Sequence, residues 1–301
     1  MASVVQTPHV EDRALTPSSA RAAAGGRWSR PITERRARGR LCVYFRAAFL
    51  SVLRMSRWKA AAVHLSISAG LGLIVAALLL LVWYPPPYGQ VAGARKLVIL
   101  LVGVDLVLGP LLTFVVFKPG KRGLKFDLAV IAILQAAAFV YGLSVVLENR
   151  PVFLVAVVDH FVLVTAGEIA PADLAQGSRE EFRRLPWTGA RLVGAVMPTA
   201  VEERNRLVFE ALAGKDLQNL PRTFVEYAAV ARSFLAQAKP LERLRRTYPV
   251  AAAAAEQWAR SQKRDTESLL WAPVVARNGE LAMLLDRESG QPLKPLAITT
   301  E

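Results

Sequence analysis

A membrane protein with a three-helix transmembrane bundle followed by a periplasmic α+β domain is the fold class that this sequence predicts, and three observations lead there. No Asp, Glu, Lys or Arg occurs between Lys59 and Arg95, and two further apolar runs follow before Glu148. Each run is long enough, at about 1.5 Å per residue, to cross a hydrocarbon core of roughly 30 Å. From Pro151 onward the composition changes to the mixed pattern of a soluble domain. Of the 301 residues 53% are hydrophobic, and because that excess is concentrated in the runs, an ordinary soluble enzyme is excluded.

The elements follow in order. Residues 1–54 hold ten Arg, no Lys and three acids, and read as a disordered or mis-assigned extension, with translation expected to begin at Met55. Leu41 to Leu53, interrupted by Arg46, is too short to span, and it lies too deep in the chain for a secretory signal. Residues 55–150 form the membrane domain. Its first span is 63–83, closed by Trp83 and Tyr84, which favour the headgroup level, and by Pro85-Pro86-Pro87, which cannot continue a helix. The second span is 97–117 and the third 126–147.

Charge sets the orientation. The loop from Lys118 to Lys125 carries four positive residues, whereas Tyr84 to Lys96 carries only Arg95 and Lys96. Short cytoplasmic loops hold the Lys and Arg excess, so the N-terminus is cytoplasmic and three crossings send residues 151–301 outside. Half of the net charge of +14 lies in residues 1–54. The remainder is spread over a chain whose soluble part faces away from the cytoplasm, so no nucleic-acid partner is expected; membrane lipids are. Cys42 is the single cysteine, which excludes a disulfide framework.

In residues 151–301, two runs rich in β-branched residues, Val152 to Val158 and Phe161 to Thr165, flank Asp159-His160 and predict a hairpin. Helical spacing covers 179–185, 201–212, 222–238 and an Ala-rich stretch from Pro249 to Lys263. Strands return at 270–276 and 280–286 around Asn278-Gly279, a strong hairpin signal, and again at Leu293. The basic stretch Arg243 to Arg246 reads as a solvated helix face. His160 is the only histidine here, so metal and thiol chemistry are not expected, no cofactor is, and Asp159-His160 reads as a polar turn.

Asp105 carries the most information in the membrane half. An acid near the middle of a span costs about 2.5 to 3.5 kcal/mol on insertion scales, so something must offset it. Gly109 and Thr113 share its face at i+4 and i+8, and Pro110 frees a backbone carbonyl one turn back. Gln135 lies at comparable depth in the third span, with Ala132, Ala138 and Gly142 as a small-residue face. Ser68, Gly72 and Ala76 give the first span a similar face. Asp105 is then hydrogen-bonded to Gln135 as a packing device, or faces an open groove toward another membrane helix, or carries a proton. Asp127, at the interface, is expected to pair with Lys121, Arg122 or Lys125. It is too far from Asp105 for the two to share a proton as an aspartyl-protease pair must.

The run Val104-Asp105-Leu106-Val107-Leu108-Gly109-Pro110-Leu111-Leu112-Thr113 is distinctive. So are Phe117-Lys118-Pro119-Gly120-Lys121 and Leu124-Lys125-Phe126-Asp127-Leu128-Ala129-Val130, followed by Gln135 and Tyr141-Gly142. Together with the start at Met55-Ser56-Arg57-Trp58-Lys59-Ala60, these strings resemble the TfpX/TfpZ type of type IV pilin accessory protein. The resemblance runs from Met55 to the end and is looser in the soluble half. It implies a bacterial inner-membrane protein, without catalysis, that serves assembly of a type IV pilus and has a particular major pilin as partner. The competing expectation is a membrane enzyme or transport subunit that uses Asp105 as a proton-bearing group.

Overall fold

The computed structural model describes residues 56–298. The expectations for residues 1–54 and for a start at Met55 lie outside the described residues.

Three helices are long and apolar enough to cross a membrane: Arg57–Trp83, Ala94–Val116 and Leu124–Asn149. The first is α1 (Arg57–Leu78), which passes into a π-helical turn at Leu79–Trp83. It starts ahead of the expected Val63 because Ser56 caps it, its hydroxyl accepting from the Lys59 amide at 3.4 Å. That polar first turn is held by packing: Trp58 meets the Phe114 ring at 4.6 Å, and the Arg57 guanidinium lies 5.2 Å from the same ring. After the prolines comes a short helix, α2 (Tyr88–Val91). Gly93, at a φ of 78°, then turns the chain into α3 (Ala94–Val116), which tolerates Pro110 inside it. Gly123, at 89°, opens α4 (Leu124–Asn149). In the bundle α3 lies between α1 and α4.

Close approach depends on small residues. A Cβ on Gly72 of α1 would stand 2.6 Å from Val102 of α3, and one on Gly142 of α4 would stand 2.5 Å from Leu101. Tyr84, buried at the end of the π turn, donates its hydroxyl to the Val146 carbonyl near the end of α4 at 2.9 Å. Trp83 and Tyr84 thus stand at the end of the first long helix, as part of a protein core.

The chain leaves α4 directly into an α+β domain. It comprises β1 (Pro151–Val157), β2 (His160–Thr165), α5 (Pro171–Ala175), β3 (Arg191–Ala195), α6 (Val201–Leu212), β4 (Phe224–Glu226) and α7 (Tyr227–Leu235). It continues with β5 (Lys239–Pro240), α8 (Leu241–Thr247), α9 (Pro249–Ser261), β6 (Leu269–Ala276), β7 (Gly279–Asp286) and β8 (Pro292–Ala297). The strands form one sheet in the order β4-β3-β1-β2-β6-β7-β8, with β5 beside β6. β1 and β2 are an antiparallel hairpin, while β1 with β3 and β2 with β6 run parallel.

Alternation along the strands divides the core into layers. Leu154 and Ala156 of β1, Phe161 and Leu163 of β2, Val274 of β6, and Leu281 and Met283 of β7 pack in one cluster with Leu79, Trp83, Tyr84 and Val91 from the helical bundle. Phe153, Val155 and Val157 point the other way, toward Phe182 and Phe224. Ala282 and Leu284 of β7 face α8 and the alanines of α9. The turn of the β6–β7 hairpin reaches back to α2, where the Asn278 amide donates to the Val91 carbonyl at 3.1 Å.

Two expectations fail locally. The stretch 179–185 forms only a 3-10 turn, Glu180–Phe182, because Pro186 restrains Leu185 and buried Phe182 pins the segment instead. The helix expected over 222–238 starts only at Tyr227, since Phe224–Glu226 pairs with β3 as an edge strand. In the second hairpin, Gly279 begins β7 and the loop is Arg277-Asn278.

Candidate functional site

Polar side chains from all three long helices meet inside the bundle. Asp105, Gly109 and Thr113 lie on one face of α3, as spacing by four requires. From α4, Gln135 Nε2 donates to Asp105 Oδ1 at 3.0 Å. From α1, His64 Nδ1 lies 2.6 Å from Thr113 Oγ1. Both visiting side chains pass over Gly109: a Cβ there would stand 2.1 Å from Gln135 Nε2 and 2.9 Å from His64 Nε2. Gly109 is therefore the space in which the helices exchange hydrogen bonds, and Pro110 follows it with no N–H for the Leu106 carbonyl.

Sequence reasoning missed His64. The signal was present, because His64, Ser68, Gly72 and Ala76 continue one face at fourfold spacing, and a small-residue face that starts at Ser68 begins one turn too late. Its nearness to Arg57 and Lys59 made it resemble an end-of-span cation.

Asp105 and Gln135 also line a groove of about 440 Å³ between α3 and α4. Its walls are otherwise apolar, formed by residues such as Leu101, Leu108, Leu134, Phe139 and Gly142. Exposed Leu100, Leu134 and Tyr141 stand at its rim. Among the described residues that line it, Asp105 is the only carboxylate, and Gln135 fixes one of its oxygens in direction. The arrangement suits an apolar helix that brings one hydrogen-bond donor or cation to mid-span depth.

The remaining predicted site residues are placed elsewhere. Asp127, in the first turn of α4, pairs with Lys121 Nζ at 2.6 Å, about two turns before Gln135, the α4 residue that meets Asp105, so the two carboxylates are not brought together. Lys125 is the second residue of α4, in that same exposed turn. His160 Nδ1 lies 2.8 Å from Asp159 Oδ1 in the exposed β1–β2 turn, and that hydrogen bond holds the Asp159 carboxyl below its ordinary range. No group of three or more His, Cys, Asp or Glu residues able to hold a metal ion occurs among the described residues.

Comparison with known proteins adds the context of this geometry. The family model described as "Fimbrial assembly protein FimB" matches residues 54–93, which include α1, His64 and α2. No solved structure matches. "Fimbrial assembly protein, serogroup I" of Dichelobacter nodosus is 34% identical over 186 residues, which are 61% of this chain and 72% of that protein. The serogroup E1 protein of the same organism is 35% identical over the same shares. "Fimbrial assembly protein, serogroups C1 and C2" is 36% identical over 121 residues, 39% of this chain and 92% of that protein. With identity at this level across nearly three quarters of such relatives, and the family model laid over the first of the three apolar helices, the chain belongs to the fimbrial assembly protein family.

Proposed function

We propose that this protein is an inner-membrane accessory of type IV pilus assembly, of the TfpX/TfpZ kind, which acts by binding and not by catalysis. Its N-terminus is cytoplasmic and its α+β domain periplasmic. The groove between α3 and α4 receives the apolar membrane helix of one particular major pilin, and the α+β domain meets that pilin's periplasmic head. The observation that carries this is the oriented carboxylate on an otherwise apolar, laterally open wall. A mid-span acid is expensive, and a bundle needing only its own packing could satisfy Gln135 with a neutral partner, as Thr113 already does for His64. The names of the relatives supply the process in which such a helix-holding wall is useful.

The test is replacement of Asp105 by Asn and by Leu, with pilin co-purification and pilus number as readouts and accumulation of the protein as control. Both readouts are expected to fall at least tenfold for Asp105→Leu and less for Asp105→Asn, which keeps an acceptor. Unchanged values in both variants overturn the groove as the contact.

One observation favours a second function, a transport subunit moving protons through Asp105. His64 gives the bundle a further ionisable side chain beside the Asp105 face. A solute-dependent proton flux in vesicles that disappears in Asp105→Asn and His64→Gln would select it.

A further inference from the structure

A recess opens on the face of the sheet turned away from the bundle. Along β6, Ala272 and Val274 pack toward the bundle, whereas Trp271 packs with α8 and α9 on the opposite side. On that side the two helices cover Ala282 and Leu284 of β7 but stop short of Glu280, which continues the same face and is exposed. The gap they leave has a volume of about 200 Å³. Pro273, Glu280 and Ile298 line it from the sheet, Arg243 from α8, and Lys239 from β5.

Its frame is fixed and its cations are not neutralised. Lys239 pairs with Trp271 across β5 and β6, and the Trp271 indole donates to the Pro240 carbonyl at 3.1 Å. Tyr248 meets the Trp271 ring edge-on at 6.4 Å. Lys239 Nζ lies 5.3 Å from the centre of that ring, a contact that positions the ammonium and leaves its charge in place. Asp159, which feels the Lys239 charge, is committed to His160 Nδ1 at 2.8 Å. Arg243 contrasts with its neighbour on α8: Arg245 pairs with Glu256 of α9 at 2.6 Å, whereas neither Arg243 nor Lys239 forms an ion pair among the described residues. The basic stretch that reads as a solvated helix face thus divides, Arg245 closing onto α9 and Arg243 lining the recess. Two cations beside one concave, partly apolar site concentrate their field on what enters it.

We infer that this recess binds an acidic side chain of a peptide segment, its carboxylate taken by Lys239 and Arg243 and a backbone N–H of the same segment by Glu280. Charge-assisted hydrogen bonds of both signs are then made at once. Glu280 argues against a bare anion, because its carboxylate lines the same space and disfavours a ligand that offers negative charge alone. The volume, less than half the 440 Å³ of the groove between α3 and α4, suits a short segment and not a helix. The site lies on the α+β domain and depends neither on the pilin contact at Asp105 nor on the orientation of the bundle.

The test uses the full chain in detergent with isotope-labelled tryptophan and follows the indole N–H resonance of Trp271, identified by its loss in Trp271→Phe. The probe is acetyl-glycyl-glutamyl-glycinamide; acetyl-glycyl-glutaminyl-glycinamide and sodium acetate are the comparison arms. The glutamyl peptide is expected to shift the Trp271 signal saturably and to bind about fivefold more tightly than either comparison arm. Arg243→Gln and Lys239→Gln are each expected to weaken it by about fivefold, while Arg245→Gln, whose side chain is turned to Glu256, leaves it unchanged. Glu280→Gln is expected to narrow the gap between the glutamyl peptide and acetate. The other tryptophan resonances check that each variant remains folded, and the comparison of the three ligands on wild type stands without any variant. Absence of a saturable shift overturns the inference. So does equal binding of the glutaminyl peptide, which would mean that the carboxylate is not read, or of acetate, which would mean a bare-anion site, or wild-type affinity in both Arg243→Gln and Lys239→Gln.

Discussion

At Gly109 two side chains from different helices occupy the volume that any other residue would need. Gly109→Ala therefore pushes the Gln135 amide away from Asp105 and leaves the Asp105 acceptor without that partner. The loss is about 2 kcal/mol, the scale of a buried polar group left unsatisfied. At Gly103, on the same helix, a Cβ would meet nothing within 4 Å. Gly103→Ala is expected to be neutral, or to stabilise by up to about 1 kcal/mol through helix propensity. Denaturation of the two variants in detergent separates crowding from propensity. A second residue-scale outcome concerns Asp286, whose carboxyl is lowered to about 2, first by the Ser289 amide, then by the Ser289 hydroxyl and by Arg264. Its folded pKa lies below the unfolded value of about 3.9, so its contribution is complete above about pH 4 and is lost as pH falls through about 2. The difference in unfolding midpoint between wild type and Asp286→Asn should be constant from pH 7 to about 4 and should close on further acidification.

Among the elements, α6 offers the plainest contrast between faces. Leu207 is buried, whereas Leu212, on the same helix, is 81% exposed. Leu207→Ala is expected to cost about 3 kcal/mol and Leu212→Ala less than about 0.5 kcal/mol, read from chemical denaturation of the full chain. The helix itself was legible from spacing, as were the β1–β2 and β6–β7 hairpins, because their signals are local: β-branched runs around a polar turn, or alternation around Asn278. β3 and β4 were not legible. Their pairing joins Phe153 to Arg191 and Val193 to Glu226, across separations at which no sequence pattern records a partner, and Phe224 is placed by the ring cluster with Phe153 and Phe182. In the bundle, Asp105, Gly109, Thr113 and Gln135 could be named from depth and spacing. His64 continues the face of Ser68, Gly72 and Ala76 but was passed over, because an ionisable residue near a span end has an ordinary explanation until the opposing Thr113 is seen.

For the molecule as a whole, the proposed topology is open to direct measurement. With Cys42 replaced by Ser, single cysteines at Gly120 and Ser289 report on the α3–α4 loop and on the β7–β8 turn of the α+β domain. An impermeant maleimide applied to intact cells is expected to label position 289 at once and position 120 only after lysis; the reverse pattern overturns the orientation. Whichever way the bundle points, its far end and the sheet are not separable bodies. Leu79, Trp83, Tyr84 and Val91 complete the cluster that holds Phe161, Leu281 and Met283, and Asn278 is hydrogen-bonded to the α2 segment. The long helices are synthesised first, so the sheet condenses onto a wall that is already standing. A copy whose first two helices fail to insert has no such wall, and its C-terminal half displays Phe161 and Met283 to proteases and chaperones. Disruption of the bundle is therefore expected to loosen the sheet as well, read as faster proteolysis of the α+β domain in variants that break α1 or α3.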